Sequence, residues 1–413
     1  MILTMFKKRR VYLDYAAATP RCKAAGGAPP PLPNGGGRAM RPWYEREFGN
    51  PSAVHQEGAR AAEALTLARV RIGKALQVRP ELVTFVSGGT EANNLAIVGL
   101  LEALLEKGRT YTDMEVVTTA IEHPSLRETF QKLARAGLTV RTAPVDETGK
   151  IKLSELQKLL SRKTVLVSLA YANSEIGTIQ PTRAIKRMLE VAEAKFDTSI
   201  YFHVDAAQAP LWLSCQFDAV GADLLSFDAG KCFGPKGVGV LVRSRRVPLR
   251  AHLRGGGQEA GLRPGTENVA GIVGASVALR DAEMTWKERA AKVTAVRDVG
   301  MLFLQKEIPN LVINGAVGDD RLANNINISL PGIDTEFATI VLDSQGFAVS
   351  TKSACAGAGG GESVVVREIS GDPARARATL RFSLGPETSV VDLQRLTAAL
   401  KAHLAQMKSL THE

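Results

Sequence analysis

The stretch Asp223–Leu241, DLLSFDAGKCFGPKGVGVL, sets Lys231 between an apolar, strand-like run and a turn punctuated by glycine and proline. An ammonium is strongly hydrated, and the end of a buried strand is an unfavourable place for one. A plain surface lysine on a loop is the ordinary explanation. The other is a lysine held where it can form a Schiff base with a carbonyl cofactor. What the rest of the chain places around it decides between them.

Working outward, VVTTA (116–120), LTVRTAPV (138–145), TVLVSLAYA (164–172), IYFHVDAA (200–207), DLLSF (223–227) and GVGVLVRS (237–244) read as buried strands. Between them Ser154–Leu160 and Thr182–Glu193 carry apolar residues at helical spacing. That alternation predicts an α/β fold with a mainly parallel sheet and helices on its faces. Helical patterning dominates Ala275–Lys306, and NNINISL (324–330) and ATLRFSLG (378–385) are further strand candidates, which suggests a second, smaller α+β domain. The expected division is a large domain over 21–280 and a small one formed by 1–20 and 281–413. There is no internal repeat. The segment Arg21–Met40, RCKAAGGAPPPLPNGGGRAM, is too rich in Gly and Pro for a helix or a central strand and is expected to be a mobile loop or insertion.

The 413 residues, 45% hydrophobic and 23% charged, suit an ordinary soluble globular protein. No apolar run approaches the roughly 20 residues that cross a bilayer, and the opening MILTMFKKRR reverses the order of a secretory signal, so no membrane association and a cytoplasmic location are expected. Cys22, Cys215, Cys232 and Cys355 form no CxxC pair, which argues against a disulfide framework or a metal site and leaves any important cysteine to act alone as a thiolate. The net charge of +10 is densest at Lys7–Arg10 and Arg243–Arg246. Such short runs usually form solvated faces, and without stacking aromatics direct nucleic-acid binding is not expected.

Three further stretches carry chemistry. In TFVSGGTEANNLAI (84–97) a strand-like run passes through Gly88, Gly89 and Thr90 into a helix, whose free N–H groups and dipole suit a phosphate, although plain strand–turn–helix connections look alike. In FHVDAAQAP (202–210) Asp205 closes a strand, where it can pair with the ring nitrogen of a pyridine cofactor or simply cap the next helix. His123, just past a strand in TTAIEHPSLRET (118–129), can stack on a planar ring or move a proton, or be a satisfied structural histidine.

In chain order YLDYAAATP, FGNPSAVH, SGGTEANNLAI, EHPSL, YANSEIGTIQP, HVDAAQ, KCFGPKGVG, RGGGQEAGLRPGTEN, STKSACAG and LRFSLG resemble the cysteine desulfurases, pyridoxal 5'-phosphate (PLP) enzymes of the class V aminotransferase family with fold type I. The resemblance runs from about Val11 to Leu384. It implies that Lys231 carries the PLP, with Asp205 on the ring nitrogen, Gln208 on the ring hydroxyl and His123 stacked on the ring. Gly89 and Thr90 match the phosphate cradle, and Thr266 matches a threonine that reaches the neighbouring subunit's phosphate, which implies a homodimer. Asn173 and Arg381 match the groups that hold the carboxylate of L-cysteine. Cys355, in a glycine-rich loop of the small domain, matches the nucleophile that takes up sulfur as a persulfide and passes it to a sulfur-acceptor or scaffold protein, for iron–sulfur cluster assembly or RNA thiolation. Cys232 is assigned to packing. Two positions depart: Asp228 and Gly230 stand where a serine and a histidine that contact the phosphate are usual, and a carboxylate there should weaken PLP binding unless it turns away, is protonated or meets a cation. Ser174 replaces a common asparagine, a milder change. Another PLP lyase or transferase, such as one acting on selenocysteine, and a non-catalytic scaffold relative with weakened PLP binding are the alternatives.

Overall fold

Short apolar runs rich in β-branched residues favour strands, and where helices cover both faces of a sheet such runs can be buried along their whole length. The computed structural model describes residues 10–20, 35–351 and 361–411. Its first elements are β1 (Val11–Tyr12), α1 (Gly35–Glu45), α2 (Gln56–Leu76), β2 (Val83–Val86), α3 (Gly89–Glu106) and β3 (Glu115–Thr119). Then come α4 (Pro124–Arg135), β4 (Thr139–Ala143), α5 (Leu153–Leu159), β5 (Thr164–Ala170), α6 (Thr182–Phe196), β6 (Tyr201–Asp205), α7 (Phe217–Val220), β7 (Leu224–Asp228) and β8 (Gly239–Arg243).

Seven strands form one sheet in the order β2-β8-β7-β6-β5-β3-β4. Every pairing is parallel except the two made by β8. The fold is therefore the α/β arrangement expected, a mostly parallel sheet with flanking helices. One expectation needs correction. β4 is not buried throughout, because it lies at the sheet edge and leaves Thr139 and Thr142 exposed. The parallel arrangement also brings the carboxyl ends of β3, β5, β6 and β7 to one rim, the side on which such sheets bind ligands.

Beyond the sheet run α8 (Val269–Glu307), β9 (Val312–Ile313), β10 (Asn325–Ser329), α9 (Thr335–Ser344), β11 (Phe347–Ala348), α10 (Val364–Ser370), α11 (Pro373–Arg377), β12 (Thr379–Ser383) and α12 (Val390–Thr411). β12, β10 and β9 form a second, antiparallel sheet in that order, and β1 pairs in parallel with β11. Position 280 falls inside α8. After Val269 the first three turns of that helix are buried and, apart from Ser276, apolar. Further on, Val293, Arg297, Gly300 and Leu304 form a single buried stripe at helical spacing.

Residues 21–34 of the Gly/Pro-rich segment lie outside the described residues. Gly35–Met40 correct the expectation that it holds no helix, since they form the first turns of α1. Glycine is a poor helix former, but α1 packs against α8 and buries Met40, and tertiary packing overrides propensity. The Arg243–Arg246 cluster is largely paired: Arg246 with Asp223 and Glu193, each at 2.6 Å, and Arg245 with Glu81 at 3.0 Å. Among the described residues no helix is long and apolar enough to cross a membrane.

Candidate active site

Over the common rim lies a cavity of about 630 Å³. Gly89, Thr90, His123, Asn173, Asp205, Gln208, Asp228, Lys231 and Arg381 all line it. Thr266 is exposed and does not line the cavity of its own chain, and Cys355 lies outside the described residues.

At one end Asp205 closes the buried strand β6. Its Oδ2 accepts from Asn93 Nδ2 at 2.8 Å and its Oδ1 from the backbone N–H of Ala207 at 2.9 Å, so the carboxylate is fixed by a helix and by its own turn. Asn93 projects from the buried side of α3 and also donates to Ser125 Oγ at 2.9 Å. His123 is the N-cap of α4. Its Nδ1 accepts from the N–H of Ser125 at 3.1 Å, which in the neutral ring leaves the proton on Nε2. The structural and the functional readings of this histidine thus coincide in one side chain that caps a helix and lines the cavity. Burial holds it below its ordinary pKa; Asp205 opposes that shift and the Lys231 ammonium adds to it. Gln208 donates through Nε2 to the carbonyl of Ala16 at 2.9 Å.

At the other end α3 opens on Gly89. A Cβ there would sit 3.3 Å from Asp228 Cβ, so a larger residue would narrow the space in front of the helix N-terminus. Glu91 in the first turn accepts from the N–H of Ser87 at 2.6 Å and from Arg263 Nε at 3.0 Å, which ties the loop that carries Thr266 to the same turn. Asp228 ends β7 and turns its Oδ1 back to accept from Gly230 N at 2.8 Å, capping the single helical turn Ala229–Lys231. Lys231 is half-buried, and no described residue pairs with its ammonium.

Arg381 enters from β12 of the second sheet and is 1% exposed. Its Nη2 donates to Asp14 Oδ1 at 2.9 Å and its Nη1 to the carbonyl of Ser174 at 3.1 Å, while Nε is buried without a partner. Asn173, by contrast, joins two loops of the rim: Oδ1 accepts from the N–H groups of Glu175 and Ile176 in its own loop, at 2.9 and 3.0 Å, and Nδ2 donates to Ile121 O in the loop after β3 at 2.9 Å. Cys232 is buried, and burial together with the Asp228 charge pushes its thiol up to about 12, which suits packing rather than reactivity.

Sequence reading missed Asn93, Glu122 and Asp14. Asn93 carried a faint signal, as one of two adjacent asparagines early in a helix, where that residue is unfavourable. Glu122 is buried beside His123. It accepts from Thr119 Oγ1 at 2.5 Å and Ala170 N at 2.8 Å, and burial, aided by Asp205, raises its pKa to about 8.

A lysine, a strand-end carboxylate and a glycine-opened helix gathered at the carboxyl rim of a parallel sheet, beside a smaller antiparallel one, define the fold type I transferases. The class-V aminotransferase model matches residues 11–396, and the chain belongs to that family. Within it, the chain is 35% identical over 404 residues to the cysteine desulfurase IscS of Dictyoglomus turgidum, covering 98% of this chain and 97% of that one. A solved NifS-like protein superposes with a TM-score of 0.84 at 30% identity, covering 96% of this chain and 99% of its own. SspA, solved in complex with cysteine, is 30% identical with a TM-score of 0.73, over 91% of this chain and 99% of that one.

Proposed function

We propose that this protein is a PLP-dependent cysteine desulfurase: it converts L-cysteine to L-alanine and takes the sulfur onto Cys355 as a persulfide. The observation that carries the reading is that Lys231, Asp205 and the Gly89 turn converge with a buried arginine, Arg381, on one cavity. The donor set fits PLP. Lys231, unpaired among the described residues, can supply the amine for its aldehyde, Asp205 suits a pyridinium nitrogen, and the α3 N-terminus a phosphate. Once bound, PLP supplies an electron sink that labilises the substrate Cα–H bond.

The chain's own residues supply the rest. The unpartnered Nε of Arg381 offers the substrate carboxylate a buried donor, and Asp14 and Ser174 O hold the guanidinium in place for it. Asn173 shapes the wall next to it. Lys231 moves the proton at Cα. His123, with its proton on Nε2 and its basicity lowered by burial, presents a neutral ring over the cavity. The Cys355 thiolate attacks the substrate sulfur; the S–S bond forms as the Cβ–S bond breaks, and the carbon skeleton takes up a proton and leaves as alanine. Thr266, exposed on its own chain, supports a homodimer in which it serves the partner's site. The domain division at 280, the cytoplasmic location and a protein sulfur acceptor belong to the same reading.

The decisive experiment is the absorbance spectrum of the purified protein before and after adding L-cysteine, with alanine and sulfide measured in parallel. Wild type should be yellow, change its spectrum with cysteine and release alanine. Cys355→Ser should keep the spectral change and release almost no sulfide. Alanine formation by Cys355→Ser at the wild-type rate would overturn the assignment of the nucleophile.

A further inference from the structure

The segment from Asp14 to Thr19 touches the cavity walls at three separate places. Asp14 holds Arg381. The carbonyl of Ala16 receives Gln208 Nε2, while the Ala16 N–H donates to Ser383 Oγ at 2.9 Å. Thr19 reaches furthest. It is 4% exposed, its N–H donates to Gly230 O at 3.0 Å, and its Oγ1 donates to the same carbonyl at 2.8 Å while accepting from the N–H of Phe233 at 2.8 Å. Gly230 immediately precedes Lys231, and Phe233 follows it by two positions.

The clamped turn needs support. Phe233 has φ +64°, the left-handed region that a residue with a bulky side chain adopts only when its surroundings impose it. Just before it, Ala229–Lys231 makes a single helical turn, too short to be rigid by itself. One hydroxyl therefore joins the two sides of the Lys231 turn, and it comes from a part of the chain more than two hundred residues away, at a separation of 211.

We propose that Thr19 is a positioning residue for Lys231: by bridging Gly230 O and Phe233 N it fixes the direction in which the lysine side chain enters the cavity. The proposal rests on Lys231 being the residue that carries the cofactor. Thr19→Val keeps the shape and removes the hydroxyl, leaving the N–H of Phe233 without its acceptor; Thr19→Ser keeps the hydroxyl and removes only the methyl group.

The test compares purified wild type, Thr19→Val and Thr19→Ser, loaded with PLP. The readouts are the rate of cofactor loss on dialysis, the pH titration of the bound-cofactor absorbance, and thermal unfolding of the cofactor-free proteins. Thr19→Val should lose PLP about tenfold faster and titrate at a shifted pH, as expected for a buried donor left without its acceptor. Thr19→Ser should stay within about twofold of wild type in both. A Thr19→Val protein that melts lower yet retains PLP and its titration like wild type would overturn the proposal. So would a Thr19→Ser protein that leaks cofactor, since the methyl group would then be what matters, and this second variant decides even if Thr19→Val does not fold. Lys231→Ala serves as the control: if it keeps the wild-type absorbance, the Lys231 reading fails, and Thr19 fails only as its consequence.

Discussion

Two aspartates close neighbouring strands of one sheet, yet the two ends of the cavity use them differently. Asp205 is buried and both its oxygens are held, one by Asn93 from α3 and one by the N–H of Ala207, so the carboxylate stands in a prepared setting. Asp228 is half-buried and turns one oxygen into its own turn, onto the N–H of Gly230. A strand-end carboxylate therefore has no fixed meaning. Its role depends on which donors the neighbouring elements bring to it, and the same residue type is a carboxylate held from two sides at one end and a turn cap at the other.

The sharpest way to break this contrast is to remove each carboxylate in turn. Asp205→Ala should lower alanine formation by about a hundredfold or more, because a preorganised charge disappears and two buried donors lose their acceptor. Asp228→Ala should stay within about tenfold of wild type. Equal losses in a steady-state assay would mean that the two ends are not distinct.

Asn93→Ala tests whether the amide that holds Asp205 from α3 matters. It removes one hydrogen bond to a charged group, worth roughly 1.5–3 kcal/mol, and should weaken PLP binding by about tenfold or more in equilibrium dialysis. An unchanged Kd would leave Asp205 set by its own turn alone.

At the other end the two unusual positions are coupled. A Cβ at position 230 would lie 3.1 Å from Asp228 Oδ1, so Gly230→His alone must push aside the carboxylate that caps the turn. The single variant should lose PLP a few-fold faster than wild type. Combined with Asp228→Ser it should lose PLP more slowly than wild type, because the second carboxylate oxygen, Oδ2, which lies near Gly89 and would repel a phosphate bound there, gives way to two donors. Additive effects of the two changes on the loss rate would show that Asp228 and Gly230 act independently.

The smallest expected effect is a pH dependence that only one aspartate controls. Burial, with a contribution from Asp205, raises the Glu122 pKa from 4.5 to about 8 in the folded chain. A carboxyl whose pKa is raised on folding adds stability in its protonated form, fully present below the unfolded value and lost as pH rises through the folded one. Urea unfolding should therefore show stability falling between about pH 4.5 and pH 8, and Glu122→Gln should flatten that slope. Asp205→Asn should move its upper limit down, and Asp228→Asn should leave it in place.

Much of this was legible in the chain. The strands from 116 to 244 stand out because each is a short apolar run between helical patterns, and their parallel arrangement puts His123, Asp205 and Lys231 at one rim without further information. The glycine-opened helix at Gly89 is readable for the same local reason. The failures are also physical. Gly35–Met40 looked unable to form a helix because propensity is a property of the segment, whereas the packing of α1 on α8 is not. Asn173 was matched to a substrate-binding position and does line the cavity, but that its amide also bonds Ile121 O and the N–H groups of Glu175 and Ile176 could be read only from atomic positions.

The sequence by itself determined the sheet, the rim and the residue types on it, because hydrophobic period and turn chemistry act over a few residues. The tertiary structure alone decided the partners: Asn93 with Asp205 across 112 positions, Thr19 with Gly230 across 211, and Asp14 with Arg381 across 367. No local pattern encodes such pairs. They exist because sheet order and the bridge from Asp14, just after β1, to Ser383 in β12 bring distant segments together, where a buried polar group must find a partner or remain costly.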